Sequence, residues 1–149
     1  MLPDTVDRVP QHTAAHLNAR IEEDIDTSVA YFARHPEEIG ARLRDLDREW
    51  DIERTLEANA AGVSLLGLLL AVTVDRKWLL LPAGVAGFLM QHALQGWCPP
   101  IELFRRIGVR TAGEIARERY ALKALRGDFA TLPEAGEERA AAALAAVDR

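Results

Sequence analysis

Gln91, His92, Gln95 and Cys98 are the residues of this chain whose types and spacing could carry chemistry, and all lie at the end of a long uncharged stretch. Polar side chains in such a stretch turn toward protein or water. His92 could act as a haem axial ligand, a proton relay or a small-molecule contact. The reading favoured here is hydrogen bonding between helices, because no second ligand accompanies His92 in the apolar stretch. Cys98 could be a redox or persulfide-carrying thiol if neighbouring cations such as Arg105 and Arg106 stabilised its thiolate. The plainer reading is a thiol buried against Trp97 and Pro99. His12 and His16 have the i,i+4 spacing of metal ligands, but no Cys or acidic residue stands at a matched position, so they read as exposed histidines.

Cys98 is the sole cysteine, which excludes an internal disulfide and a CxxC metal site. The sequence contains no glycine-rich phosphate loop, no nucleophile elbow and no zinc-protease signature. A non-enzymatic protein without metal or cofactor is the expectation.

The elements that must position these residues are two apolar runs. "ANAAGVSLLGLLLAVTV" (58–74) and "WLLLPAGVAGFLMQHALQGWCPPI" (78–101) are separated only by Asp75, Arg76 and Lys77. A bilayer core of about 30 Å needs roughly 20 helical residues. The spacing predicts spans over about 58–74 and 78–97, folded back as a transmembrane hairpin. Eight Leu and Val side chains in the first run favour insertion by about 2.5–5 kcal/mol. Trp78 and Trp97, about 28 Å apart along a helix, have the spacing of an aromatic belt. Ala60, Ser64, Gly67 and Ala71, with Ala83 and Gly87 across the turn, form small-residue ridges that let helix backbones approach in lipid. The same ridges could drive oligomers. Pro82 falls in the first turn of the second helix, where its missing N–H does least harm.

Charge sets the expected orientation. The short loop carries Arg76 and Lys77, while Arg42, Arg44, Arg48 and Arg54 precede the runs and Arg105, Arg106, Arg110, Arg117 and Arg119 follow them. This asymmetry places both ends in the cytoplasm. Pro99 and Pro100 are expected to end the second span, with Trp50, Trp97, Arg105 and Arg106 at the membrane interface. The net charge of -5 is split between an acidic front and a basic segment after the runs, which argues against a general nucleic-acid binder. The opening "MLPDTVDRVP" lacks the apolar core of a signal peptide.

The flanking arms read as amphipathic helices, giving an all-α fold of three consecutive parts: a helical arm (1–49), the hairpin (50–108) and a basic helical arm (109–149). Leu17, Ile21, Ile25, Val29 and Phe32 make one stripe, and His35-Pro36 interrupts it. Ile39, Leu43, Leu46 and Trp50 make a second. This arm could lie on lipid or fold as a small bundle, and its acidic balance favours the bundle. Asp51 is a candidate cap for the first span. "TAGE" (111–114) has capping-box spacing, with a helix predicted to stop at Gly127. "TLPE" (131–134) repeats the signal for a tail helix.

"WDIERTLEANAAG", the paired apolar runs, "HALQGWCPP" and "RRIGVRTAGEIARERYALKALRGDF" together resemble the YgaP-like inner-membrane domain, a bacterial two-helix module. The matching positions are Glu53, Arg54, Asn59, Gly62, Gly96, Cys98, Pro99 and Gly108, within roughly residues 50–127. Some members of that family carry a rhodanese domain, which this chain lacks, so no sulfurtransferase activity follows. The resemblance implies a multi-pass inner-membrane protein with the lipid bilayer as its environment. The functional expectation is a non-enzymatic anchor or scaffold that forms a homo-oligomer or binds another membrane protein. The alternatives are a Cys98-dependent sulfur or redox relay, and a small-solute channel of oligomerised hairpins lined by Gln91, His92 and Gln95.

Overall fold

The structure, a computed structural model, describes residues 8–130, 132–133 and 135–148. The opening residues up to Asp7, and Thr131 and Glu134 of the "TLPE" signal, lie outside the described residues. Every regular element among the described residues is helical, so the fold is all-α. In chain order these are α1 (Arg8–Gln11), α2 (Ala15–Phe32), a 3-10 turn (Pro36–Glu38), α3 (Ile39–Arg48), α4 (Ile52–Thr73), a second 3-10 turn (Arg76–Leu79), α5 (Leu80–Gln95), α6 (Pro99–Arg106), α7 (Ala112–Arg126) and α8 (Glu137–Asp148).

Local signals set most of these boundaries. The Asp51 carboxylate accepts a hydrogen bond from the Arg54 backbone N–H at 2.8 Å and caps α4, satisfying one of the donors a helix start leaves unpaired. Asp75 does the same for the turn between α4 and α5, accepting from Lys77 N–H at 2.7 Å. α2 stops before Pro36, and α7 is followed by Gly127 at φ +87°, as the His35-Pro36 break and the glycine stop require. α8 follows the "TLPE" segment by a few residues.

The chain divides into two compact units, each discontinuous in sequence. One combines residues 8–22 with Trp50–Gly113, and the other combines Glu23–Glu49 with the described residues from Glu114 onward. The three consecutive segments read from the sequence are thus interleaved, because each flanking arm contributes to a core formed with residues far along the chain.

In the first unit, α4 packs along α5. Gly67 lets α5 come close, since an added Cβ would lie 2.7 Å from Pro82 Cδ and 3.2 Å from Leu81 Cβ. Below this pair sits a core of Val9, Ile52, Leu56, Cys98, Ile101 and Phe104. In the second unit, Ile39, Leu43 and Leu46 of α3 are buried with Ile115 and Leu122 of α7, and Phe32 packs against them. The amphipathic face of α3 is therefore covered by protein, chiefly by α7 of the C-terminal arm rather than by the first helix of its own arm. Glu118, fully buried, accepts from Arg42 Nε at 2.8 Å and Nη2 at 3.1 Å and from Ser28 Oγ at 2.6 Å.

Several expectations need correction. Trp50 does not extend the α3 stripe: it lies beyond the helix end, exposed, with the Arg54 guanidinium 4.3 Å from its ring centroid. Pro99 and Pro100 do not end the second apolar helix. Gly96 ends it in the left-handed conformation (φ 76°), and the prolines open α6, where their missing N–H groups cost nothing. Ala83 and Gly87 do not face α4. Both are exposed, and a Cβ on Gly87 would meet no atom within 4 Å. The ridge that packs α4 is Ala60, Ser64, Gly67 and Ala71, all at least partly buried.

Candidate functional site

The polar residues of the apolar stretch go to different environments. Gln91 is half-buried and Gln95 exposed, whereas His92 is only 4% exposed. α5 carries His92 inward on the face that meets the start of α4, and its Nε2 donates to Glu53 Oε2 at 2.7 Å. The other carboxylate oxygen, Oε1, accepts from Arg8 Nη2 at 2.7 Å, and Arg8 Nη1 reaches the Ala93 carbonyl at 3.4 Å. One carboxylate thus bridges a histidine 39 positions ahead of it and an arginine 45 positions behind it. His92 Nδ1 is buried and makes no hydrogen bond among the described residues.

Burial alone would push the Glu53 carboxyl up. The hydrogen bonds from Arg8 and His92 outweigh it and hold the group below its ordinary value of 4.5. At neutral pH this site is an ionised carboxylate held between two donors.

Gly96 lets this arrangement close. A Cβ there would stand 2.6 Å from both Arg8 Cβ and the Arg8 carbonyl oxygen, and its positive φ is a conformation that L side chains rarely adopt. The Arg8 backbone lies in the space a side chain at 96 would take. The entry segment is fixed further by Thr13 Oγ1 donating to the Val9 carbonyl (2.8 Å) and Asn18 Nδ2 donating to the Pro10 carbonyl (2.9 Å).

Cys98 is 1% exposed, between Gly96 and the first turn of α6. Burial pushes its thiol up, the Glu53 charge adds to that, and the Ile101 backbone N–H opposes it only in part. The thiolate that a sulfur or redox relay requires is disfavoured. Cys98 also borders a partly open cavity of ≈160 Å³ between α4, α5 and α6, whose walls include Leu56, Asn59, Ala60, Val85 and Phe88.

Arg105 is 1% exposed and so does not present itself to headgroups. Its Nη2 donates to Asn18 Oδ1 at 2.9 Å and its Nη1 to the Val109 carbonyl at 3.2 Å. A planar guanidinium with several donors can tie separate segments together in this way. Arg106 remains outside, loosely paired with Glu102 at 3.3 Å. Trp78 and Trp97 flank α5 and are partly exposed. His12 and His16 are both exposed, and among the described residues no group of three or more His, Cys, Asp or Glu could hold a metal ion.

Sequence reasoning missed Arg8 altogether, and it reached Glu53 only through the resemblance. Nothing local marks either residue as a partner of His92. The one available signal is that Glu53 stands in the first turn of a helix that runs on into the apolar stretch, where an acidic residue packed against protein needs a donor.

The surface of the helix pair is its other notable property. Among the described residues, one stretch, Pro36–Thr73, holds a window long and apolar enough to cross a membrane, with mean hydropathy 1.6 and 11% of the window buried. Its apolar part is α4, where Leu65 is 67%, Leu69 59% and Val72 87% exposed. On α5, which has 16 residues, Leu80, Phe88, Met90 and Leu94 are also exposed.

Comparison with known protein families, with curated proteins and with solved structures finds no match.

Proposed function

We propose that this chain is a bacterial inner-membrane protein in which about residues 58–74 and 78–97, within and beside α4 and α5, cross the bilayer as a hairpin with both ends in the cytoplasm. In this reading it is a YgaP-like membrane domain that serves as a non-enzymatic, self-associating anchor or scaffold. The observation that carries it is the exposed hydrocarbon of α4 and α5. Large aliphatic side chains stand outward on faces that no described residue covers, and contiguous exposed apolar surface of this kind marks a membrane or partner contact. A soluble core helix of this composition would be mostly covered, and this one is 11% buried.

Further support is the placement of polar groups. Asp75, Arg76 and Lys77 cluster at one end of the pair, and the Arg8–Glu53–His92 network lies at the other. The outward Gly84 and Gly87 leave open space beside α5, which suits close approach of a second helix in lipid. The second unit, with its ion-paired helices, is the part available to cytoplasmic partners.

Cell fractionation tests the reading directly. The protein is expected in the membrane pellet, resistant to alkaline carbonate and released by detergent. Recovery as a folded, monodisperse species in the detergent-free supernatant would overturn it. With Cys98→Ser as background, Asp75→Cys is expected to react with an impermeant maleimide from the periplasmic side. Reaction from the cytoplasmic side alone would reverse the orientation. Purification as a strict monomer without a co-purifying protein would remove the scaffold role.

A further inference from the structure

A cavity lies between α4, α5 and the start of α6. Its volume is ≈160 Å³, and of the residues that line it only Asn59 and Cys98 carry polar side-chain atoms. A water held in such a space needs two to four polar partners, whereas apolar cavities of about 150 Å³ stay dry and take up benzene-sized groups. Left empty, the walls would forfeit dispersion contacts on one side. Of its lining residues, Leu56 and Cys98 are 4% and 1% exposed, while Phe88 and Asn59 are exposed. The cavity is partly open, and its walls belong to the same helix pair whose aliphatic side chains are uncovered.

The geometry points to this cavity as a binding site for the acyl chain of a bilayer lipid, which enters from the side and ends against Leu56 and Cys98. The inference rests on the membrane reading, since the bilayer supplies the chain and the exposed flank of α4 and α5 is what brings it to the cavity. A bound chain would fill a void at the point where α6 leaves the hairpin, and would couple lipid to the core that holds Val9 and Ile101.

The test is photocrosslinking of the full chain, reconstituted in phosphatidylcholine vesicles that contain a phosphatidylcholine with a diazirine in its acyl chain. Adducts are mapped by mass spectrometry. The expected result is adducts on the inner residues Leu56 and Cys98 as well as on the outward Leu65, Leu69 and Met90. Leu56 and Cys98 are too buried to be reached by a chain that stays outside the protein. Adducts on the outward residues alone would overturn the cavity inference and leave the membrane reading standing. Adducts at none of these positions would overturn both. In Ala60→Phe, which adds a ring at the cavity wall, loss of the inner adducts with the outer ones retained is expected. Inner adducts that persist in that variant would count against the site, and the wild-type map decides the matter if the variant does not fold.

Discussion

His92 Nε2 lies 2.7 Å from Glu53 Oε2, and Arg8 Nη2 lies 2.7 Å from the other oxygen of the same carboxylate. The pair joins the last turn of α5 to the first turn of α4, and Arg8 adds the segment that precedes both. Removing one member leaves a polar group of its partner without its bond in a partly buried place. Glu53→Gln and His92→Leu should each destabilise the first unit by about 1–3 kcal/mol. The double variant should lose less than the sum, as expected of residues that share one interaction. Thermal unfolding in detergent measures this, and strict additivity would show that the contact contributes nothing.

The same carboxylate sets a pH dependence. Its folded-state value lies below 4.5, the ordinary value it regains on unfolding. A depressed carboxyl contributes stability that is fully present above the unfolded value and is lost as pH falls through the folded one. Protection at residues 8–13, taken relative to the intrinsic exchange rate at each pH, should therefore be high at neutral pH and decline in acid below about 4.5. In Glu53→Gln it should be low throughout. Protection that is independent of Glu53 across this range would refute the role given to it.

Glycines in the helix pair should respond according to their surroundings. Gly67→Ala places a methyl 2.7 Å from Pro82 Cδ and should cost about 1–3 kcal/mol through overpacking. Gly87→Ala meets open space and should be neutral or stabilising by up to about 1 kcal/mol. Gly96→Ala combines a positive φ with a clash on the Arg8 backbone, so it should release the entry segment. Unfolding midpoints of the three variants compare these directly.

Cys98 should behave as a structural thiol. Its burial and raised pKa predict alkylation by iodoacetamide at pH 7 far slower than that of an unfolded cysteine, with full reactivity restored by denaturant. Fast labelling in the folded protein would revive a thiol-based relay.

In the second unit, Glu118 is buried beneath two charge-assisted bonds from Arg42. Arg42→Ala should destabilise that unit by about 1.5–3 kcal/mol. The exposed Arg117, 3.4 Å from Asp26, should be replaceable by Ala for less than about 1 kcal/mol. Denaturant unfolding followed by circular dichroism distinguishes the two.

The helices themselves were legible because their causes are local. Period-3.6 stripes marked α2, α3 and α7, Asp51 and Gly127 marked ends, and Pro36 marked a break. The same local reading failed where a boundary depended on what packs beside it. Trp50 continues the α3 pattern in sequence but falls past the helix end. Pro99 reads as a stop but is the start of α6, since Gly96 has already turned the chain.

The sequence by itself determined that the chain is helical and that its middle carries two uncharged runs, because helix propensity, capping and hydrophobic spacing act over a few neighbouring residues. Only the tertiary structure decided which polar groups meet. Arg105 is as basic in sequence as Arg106, yet one is buried on Asn18 and the other faces outward. His92 and Gln95 are neighbours in one run, yet only His92 finds a carboxylate. Burial of a charge is favourable only where a partner is already in place, and those partners come from positions 39 to 87 residues away, where no local pattern reaches.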